Sequence, residues 1–398
     1  NLTSIMKKNI NRIFRRHMSV FRRNPVTEQI VVFASDRDNR PRQTIDSSKV
    51  KQFSHEQPEH LETCPFCTGN ESKTPPTLFE IKDPGTGKWK TRVVNNKFPA
   101  VMPPRKNTFA DEEHKLLIHS NMLNAERPAI GYHEVIIESP RHNAVTSKGK
   151  REDIKRLVLS WWNRGNALKD DPSIQHVLYF KNQGSVAGAS LVHPHAQIVA
   201  LPFVSRDVRV GQLSNLNYFL DNGISVFQKM IEEEMFARDK YNDGQDDGYR
   251  IIEENDNFIS IIPYAAISPF NLWIIPLYPS AHFTSITMQE LDSFSEILWS
   301  SLRRLDIVLN EPDFNLLIKS APLQHRHKQA AFNANTYFRW YCSITPRLGA
   351  GAMAGFELGS GIFSNGNLPE DDAHALRECM PEDFNRFSRS SSRNFDFH

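Results

Sequence analysis

Long hydrophobic runs are missing from this sequence. The most apolar stretch, Phe258 to Leu277, is interrupted by Pro263, Pro269, Asn271 and Pro276. A membrane-spanning helix needs about 18 uninterrupted apolar residues, so no span is expected and the stretch reads as buried strands. Cysteine is scarce, with four in 398 residues. That excludes a disulfide framework, and a chain this long buries enough surface to fold without one. Neither sign of charge is in excess: 48 Lys+Arg stand against 46 Asp+Glu. A nucleic-acid binder normally carries a basic face, so no nucleic-acid partner is expected. With 10% aromatic residues and a net charge of +2, the chain also lacks the signature of disorder. Its length suggests two domains.

The two ends differ from the rest. Residues 1–24 hold Lys7, Lys8, Arg12, Arg15, Arg16, Arg22 and Arg23 and no acid. Ile10, Ile13, Phe14, Met18 and Phe21 recur at helical spacing. This resembles an organelle transit segment, mitochondrial or plastid, but it is short and poor in serine. A cytoplasmic protein starting at Met6 or Met18 is the preferred expectation. No secretory apolar core is visible, so the sequon Asn70-Glu71-Ser72 is read as meaningless. The tail, 383–398, is rich in Ser, Arg, Asn and Phe and is expected to be mobile.

An internal repeat organises the middle. The strand His133–Ile137 runs through Pro140 to His142, and Asn271–Ile275 runs through Pro276 to His282. An amphipathic helix follows each. Ile154, Leu157, Val158, Trp161 and Leu168 share one face of the first. Leu291, Phe294, Ile297, Leu298, Leu302 and Leu305 share one face of the second. Thr287 and Glu290 form a capping box. Turns at Asp170-Asp171-Pro172 and Asn310-Glu311-Pro312 lead to strands Val177–Lys181 and Phe314–Lys319. Two copies of a strand–helix–strand module are expected, divided near 203–210.

The chemistry concentrates in the first copy. Gly184, Ala187, Gly188, Ala189 and Ser190 form a small-residue loop whose N–H groups can approach a phosphate. His193 and His195 follow, and in extended chain they share a face that Gln197 continues. Cys64-Pro65-Phe66-Cys67 is half of a tetrahedral metal site. No second C-x-x-C exists, so histidines must complete it, with His142 and one of His193 and His195 as candidates. Gly85-Thr86-Gly87-Lys88 is not a P-loop, since Trp89 replaces the Ser/Thr. Cys342, Cys379, His325, His327 and the Trp161-Trp162 pair read as ordinary thiols, a solvated loop and packing.

Together, Cys-Pro-x-Cys, Ser-Pro-x-His and Gly-x-Ser-x-x-His-Pro-His-x-Gln resemble the galactose-1-phosphate uridylyltransferase family of the histidine-triad superfamily. The resemblance runs from Arg22 to about Arg377. It is strongest to the branch that includes ADP-glucose phosphorylases, on Gly131–Val135, Lys181–Gly184 and Gly355–Gly361. It implies an α+β fold: two tandem HIT-like modules, antiparallel half-barrel sheets flanked by helices, assembled as a homodimer. It implies a leader over 1–24, modules over 25–204 and 205–382, and a tail over 383–398. His195 would be the nucleophile, assisted by Gln197. One structural Zn2+ per chain would sit on Cys64, Cys67, His142 and His193. Asn96, Asn182, Gly188, Ala189, Ser190 and Gln197 would bind nucleotide, with Phe356 and Glu357 on the sugar. Arg37 and Arg40 would reach phosphates from the neighbouring subunit.

The implied reaction is double displacement through a nucleotidyl-histidine. UDP-glucose and a hexose-1-phosphate are the expected substrates. ADP-glucose with inorganic phosphate is the alternative, and a HIT-type nucleotide hydrolase or a silent zinc scaffold are lesser ones. The hydrolase branch usually has a histidine where Gln197 stands. Backbone at Pro194 is expected to hold the other nitrogen of His195. In the second copy the family's His-Trp-His reads Arg339-Trp340-Tyr341, and Lys319 replaces a frequent histidine. One metal per chain is therefore expected. The lysine that galactose-1-phosphate enzymes carry near Gly349–Ala354 is absent, which weakens that acceptor.

Overall fold

The structure, a computed structural model, describes residues 19–34, 56–104, 129–241, 248–323, 333–348 and 354–379. Two short strands come first, β1 (Val20–Arg23) and β2 (Ile30–Phe33). Then follow β3 (Thr77–Lys82), β4 (Trp89–Asn95), β5 (Tyr132–Ile137), helix α1 (Arg151–Lys169), β6 (His176–Gln183) and β7 (His195–Leu201). Helices α2 (Arg206–Asn222) and α3 (Val226–Tyr241) intervene. The same succession recurs as β8 (Ile251–Glu254), β9 (Phe258–Ile261), β10 (Leu272–Pro276), α4 (Met288–Leu309), β11 (Phe314–Lys319) and β12 (Tyr341–Pro346).

These repeated strands form one ten-stranded antiparallel sheet, β3-β4-β5-β7-β6-β11-β12-β10-β9-β8. The order reads the same from either edge when each strand is exchanged for its counterpart. The halves meet where β6 pairs with β11, Phe180 opposite Leu317. Joining there leaves neither half with an open inner edge. The fold is α+β, as expected.

Alternation sets the faces. In β6, Val177, Tyr179 and Lys181 are buried, while Leu178, Phe180 and Asn182 are half-buried. One face of the sheet lies under α1 and α4, whose expected apolar stripes are buried. The Thr287 hydroxyl accepts from the Glu290 N–H and the Glu290 carboxylate from the Thr287 N–H, so the expected capping box is present. Gly165 lets α1 approach β6: a Cβ there would lie 2.1 Å from the Tyr179 Oη. Trp340 is fully buried in this layer, its ring packed against Phe258, Phe283 and Phe294. Each such buried aromatic or aliphatic side chain stabilises by roughly 1.5–3 kcal/mol.

The opposite face is not uniform. Over the second half, Phe227 and Ile231 of α3 pack on Trp273, Ile275 and Tyr341. Over the first half, Phe180, Gln197 and Val199 remain half-buried. Among the described residues, that difference leaves room for a site on the first half.

The expected leader overruns the fold by a few residues. Val20–Arg23 is not leader but β1, paired with β2. After helix α5 (Gly355–Ser360), strand β13 (Phe363–Asn365) adds to β2 in parallel, and helix α6 (Pro369–Glu378) follows. Arg22 is buried and donates to the Glu370 carboxylate at 3.1 Å and to the Tyr264 carbonyl. Read locally, Arg22 is one more basic residue; its acid partner lies near the other end of the chain. Residues 1–18 and the tail lie outside the described residues. No helix among the described residues is long and apolar enough to cross a membrane.

Candidate active site and metal centre

Cys64 and Cys67 sit in a turn between β2 and β3. Asn70 fastens it, donating from Nδ2 to the carbonyls of Leu61, Glu62 and Cys64. The turn meets the end of β5 where the Thr68 N–H donates to the Pro140 carbonyl and the His142 N–H to the Glu59 carbonyl. These links bring Cys64, Cys67, His142 and His193 together, with ligand atoms all within 4.8 Å of one another. Cys67 Sγ lies 3.6 Å from His142 Nδ1 and 3.7 Å from His193 Nδ1, and Cys64 Sγ lies 3.7 Å from His193 Nδ1. A tetrahedral ion with metal–sulfur and metal–nitrogen bonds of about 2.3 and 2.0 Å sets sulfur and nitrogen ~3.5 Å apart. The cluster could bind a metal ion.

Its chemistry agrees. His193 donates from Nε2 to the Ser139 carbonyl at 2.7 Å, which leaves the Nδ1 lone pair toward the thiols. Burial lowers His193 to about 4 and also lowers His142, so both imidazoles are neutral, the ligand form. Burial pushes the Cys64 thiol up to about 11. A cation among the sulfurs would reverse that penalty.

Strand β7 begins at His195, so the two-residue face rule applies from His195 to Gln197 and not back to His193. His195 is buried against Phe66, ring centroids 5.5 Å apart. Its Nδ1 donates to the His193 carbonyl at 2.9 Å. The expected anchor at Pro194 is thus replaced by His193, because the Pro194 carbonyl accepts from the Glu138 N–H instead. Nε2 of His195 is then the nitrogen with the lone pair. Burial first, then the Lys181 charge, hold His195 below the usual histidine range, which keeps it neutral. Sequence reasoning missed the support beneath. Lys181 Nζ donates to Glu138 Oε1 at 2.7 Å and to the His195 carbonyl at 3.3 Å, and Thr146 donates to Glu138 Oε2. A lysine on the inward phase of β6 is the only sequence signal for it.

Gln197 is half-buried on the open face. Its Oε1 lies 2.7 Å from His133 Nε2 on β5, and Asn96 Nδ2 lies 3.1 Å from the same nitrogen. His133, quoted in the repeat but given no role, is a second omission. Asn182 accepts from Asn315 Nδ2, which also donates to the Ala187 carbonyl, tying β11 to the small-residue loop. Gly184 turns that loop at φ +82°, where a Cβ would lie 2.0 Å from Asp313. Asp313 accepts from the Val186 N–H. Gly188 also takes a left-handed φ, +87°, and Ala189 closes the loop onto the Gly184 carbonyl. Ser190 is exposed at its far end.

Other expected residues are placed differently. Phe356 and Glu357 lie on the short helix α5, where Glu357 accepts from the Ala354 N–H as that helix's own cap. Arg37, Arg40, His325, His327 and Gly349–Met353 lie outside the described residues. Gly85–Lys88 is the β3–β4 hairpin turn, capped by Asp83. Asn70, half of the discounted sequon, is buried in the cysteine turn. A cavity of about 680 Å³ is lined by Glu138, Thr146 and Pro194 with Lys90, Arg141 and Lys150; neither His195 nor Gln197 lines it.

The chain is similar to known proteins. A family model for the N-terminal domain of galactose-1-phosphate uridyl transferase matches residues 9–205. The chain is 31% identical to an ADP-glucose phosphorylase of Arabidopsis thaliana, over 90% of this chain and 92% of that protein. It is 24% identical to a galactose-1-phosphate uridylyltransferase of Thermotoga maritima, over 92% of this chain and all of that one. A crystal structure of an Arabidopsis thaliana ADP-glucose phosphorylase with bound ADP-glucose superposes with a TM-score of 0.72 at 29% identity, covering 91% of this chain and 99% of that one.

Proposed function

Because the chain belongs to the galactose-1-phosphate uridylyltransferase family, we propose that it moves a nucleotidyl group off a nucleotide sugar through a covalent bond to His195. The observation that carries this reading is the state of His195: neutral, anchored through Nδ1 on the His193 carbonyl, with the Nε2 lone pair left over. In the first step Nε2 attacks the α-phosphorus in line. The bond from that phosphorus to the sugar-1-phosphate oxygen breaks, and the sugar-1-phosphate leaves with the electron pair. In the second step a phosphate oxygen of the acceptor attacks the same phosphorus, and the bond to Nε2 breaks. Nucleophilic catalysis of this kind gives ping-pong kinetics.

The surrounding residues have stated tasks. Gln197 and the Ser190 backbone donate to non-bridging oxygens, where charge grows in the transition state, while Gly188 and Ala189, whose N–H groups bond the Ser185 and Gly184 carbonyls, shape the loop that holds the nucleotide. Asn182 supports that loop through Asn315. Asn96 contacts the nucleoside, with Phe98 beside it 84% exposed as an apolar surface for a base. Cys64, Cys67, His142 and His193 hold a structural Zn2+. When bound, the ion fixes the loop that carries His193 and so the carbonyl that anchors His195. Phe356 and Glu357 are assigned to the sugar, Arg37 and Arg40 to phosphates across a homodimer interface.

Two donors fit this frame. The 31% identity to an ADP-glucose phosphorylase favours adenylyl transfer from ADP-glucose to inorganic phosphate. The 24% identity to a uridylyltransferase supports uridylyl transfer from UDP-glucose to a hexose-1-phosphate. Intact-protein mass spectrometry after mixing with each donor separates them. An adenylyl increment with ADP-glucose alone, lost in His195→Ala, establishes the phosphorylase reading. A uridylyl increment with UDP-glucose establishes the other. No increment with either donor overturns the covalent mechanism.

A further inference from the structure

His133 carries a hydrogen-bond pattern that fixes its protons. The Ala100 N–H donates to His133 Nδ1 at 3.0 Å. A backbone amide is only a donor, so Nδ1 must be the accepting nitrogen. The neutral ring then carries its hydrogen on Nε2. The atom of Gln197 that lies 2.7 Å from Nε2 must therefore be the amide oxygen, which is how it stands. The orientation follows from the donor on Ala100, not from the amide's own appearance. Gln197 is left with its NH2 group to donate. Asn96 is in the same condition, because its Oδ1 accepts from the Phe98 N–H. Its Nδ2, 3.1 Å from His133 Nε2, finds no lone pair on that nitrogen.

The geometry points to His133 as a positioning residue for the transfer step. It locks the Gln197 side chain with its N–H donors, not its carbonyl, available to the phosphoryl group. A free glutamine amide can turn over at little cost, and its carbonyl would then repel the charged oxygens of the transition state. The chain Ala100 N–H to His133 to Gln197 also links the 96–100 segment with the residue beside His195. The Asn96 N–H donates to the His133 carbonyl at 2.8 Å, so both ends of the segment are tied to this one residue. A nucleoside that orders 96–100 thereby orders Gln197. This inference rests on the role proposed above for Gln197 and His195.

Quench-flow mass spectrometry of the nucleotidyl-protein adduct, with the donor that labels the wild type, tests it. His133→Leu removes both hydrogen bonds. The rate constant for adduct formation is expected to fall about ten- to a hundredfold, a fraction of what losing a charge-stabilising donor outright costs. Donor KM is expected to change less than about threefold, because the lost interaction belongs to the transition state. His133→Gln, which keeps an N–H donor, is expected to restore most of the rate. In a Gln197→Ala background, His133→Leu is expected to cost less than about threefold, since the residue it positions is gone. A full additional loss in that background overturns the inference, as does a His133→Leu rate equal to wild type. If His133→Leu fails to fold, as judged by circular dichroism and metal content, His133→Gln against His133→Glu decides, because only the former donates; equal rates overturn the inference. Absence of adduct in the wild type would instead sink the reading of His195 and is seen before any His133 variant is made.

Discussion

The two halves of the sheet share a strand order and differ in what covers them. Register matches their positions. Gln197 lies opposite Val135 in the first half, and Ser343 lies opposite Trp273 in the second. By that alignment Tyr341 stands where His195 stands, Arg339 where His193 stands, Asn271 where His133 stands and Lys319 where Asn182 stands. Tyr341 stacks on Trp273 at 4.4 Å and lies under Phe227 of α3. Arg339 donates to the Pro276 and Leu277 carbonyls. Asn271 bonds Ser343 and Thr345, an echo of His133 on Gln197 with no open face beside it. One half gives this surface to packing, and among the described residues the other leaves it half-buried, with Gln197 on it and His195 at the start of the same strand. Duplication supplies a scaffold twice; chemistry needs only one face uncovered.

The sharpest way to break this contrast is to exchange its centres. His195→Ala is expected to lower turnover by ~10⁴-fold or more, since removing a covalent nucleophile leaves only binding and charge stabilisation. Tyr341→Phe, which keeps the ring, is expected to leave turnover within about threefold. Steady-state assays with the labelling donor check both. A loss in Tyr341→Phe comparable to that in His195→Ala would end the one-site reading.

Metal comes next. His142 and His282 lie just beyond the matching strands β5 and β10, 140 positions apart. His142→Ala is expected to remove the bound metal and several kcal/mol of stability with it. His282→Ala is expected to leave metal content unchanged, near one Zn2+ per chain by elemental analysis. Two metals per chain, with one lost in His282→Ala, would refute the expectation.

Two lysines on the matching strands β6 and β11, Lys181 buried and Lys319 half-buried, give a smaller contrast. Lys181→Met strands the Glu138 carboxylate in the core and is expected to cost about 3–5 kcal/mol in urea unfolding. Among the described residues no carboxylate pairs with Lys319; burial holds it below its ordinary 10.5, against the attraction of Asp207. In that alkaline window the unfolded chain binds more protons than the folded one, so stability rises with pH. Lys319→Met is expected to flatten that slope in the alkaline range just below pH 10.5. An unchanged slope would show that Lys319 is not the group responsible.

Much of this was legible before any coordinates. Periodicity marked both helices and their buried stripes, because a helix face is written within a few turns of sequence. The repeat predicted matched strands, and Cys-x-x-Cys predicted half a metal site. Cys64, Cys67, His142 and His193 converge as the resemblance implied, and His195 and Gln197 share a strand face because alternation is local. The pattern could not say which carbonyl anchors His195. That depends on the pairing with β5, where the Glu138 N–H takes the Pro194 carbonyl and leaves the His193 carbonyl for the ring. Nor could it show Arg22 as a fold anchor, since Glu370 is separated from it by most of the chain.

The sequence by itself located the candidate site in the first copy: a Cys-x-x-Cys pair, a His-Pro-His-x-Gln stretch and a loop of small residues. Those are properties of side chains and short spacings. Tertiary structure alone decided which half is covered: α3 packs on the second half of the sheet, while among the described residues Phe180, Gln197 and Val199 of the first stay half-buried. It also decided that His133 holds Gln197 and that Lys181 and Glu138 support His195. Those pairs come from different strands. No local rule brings them together, because their distance is set by the register of the sheet and not by their separation along the chain.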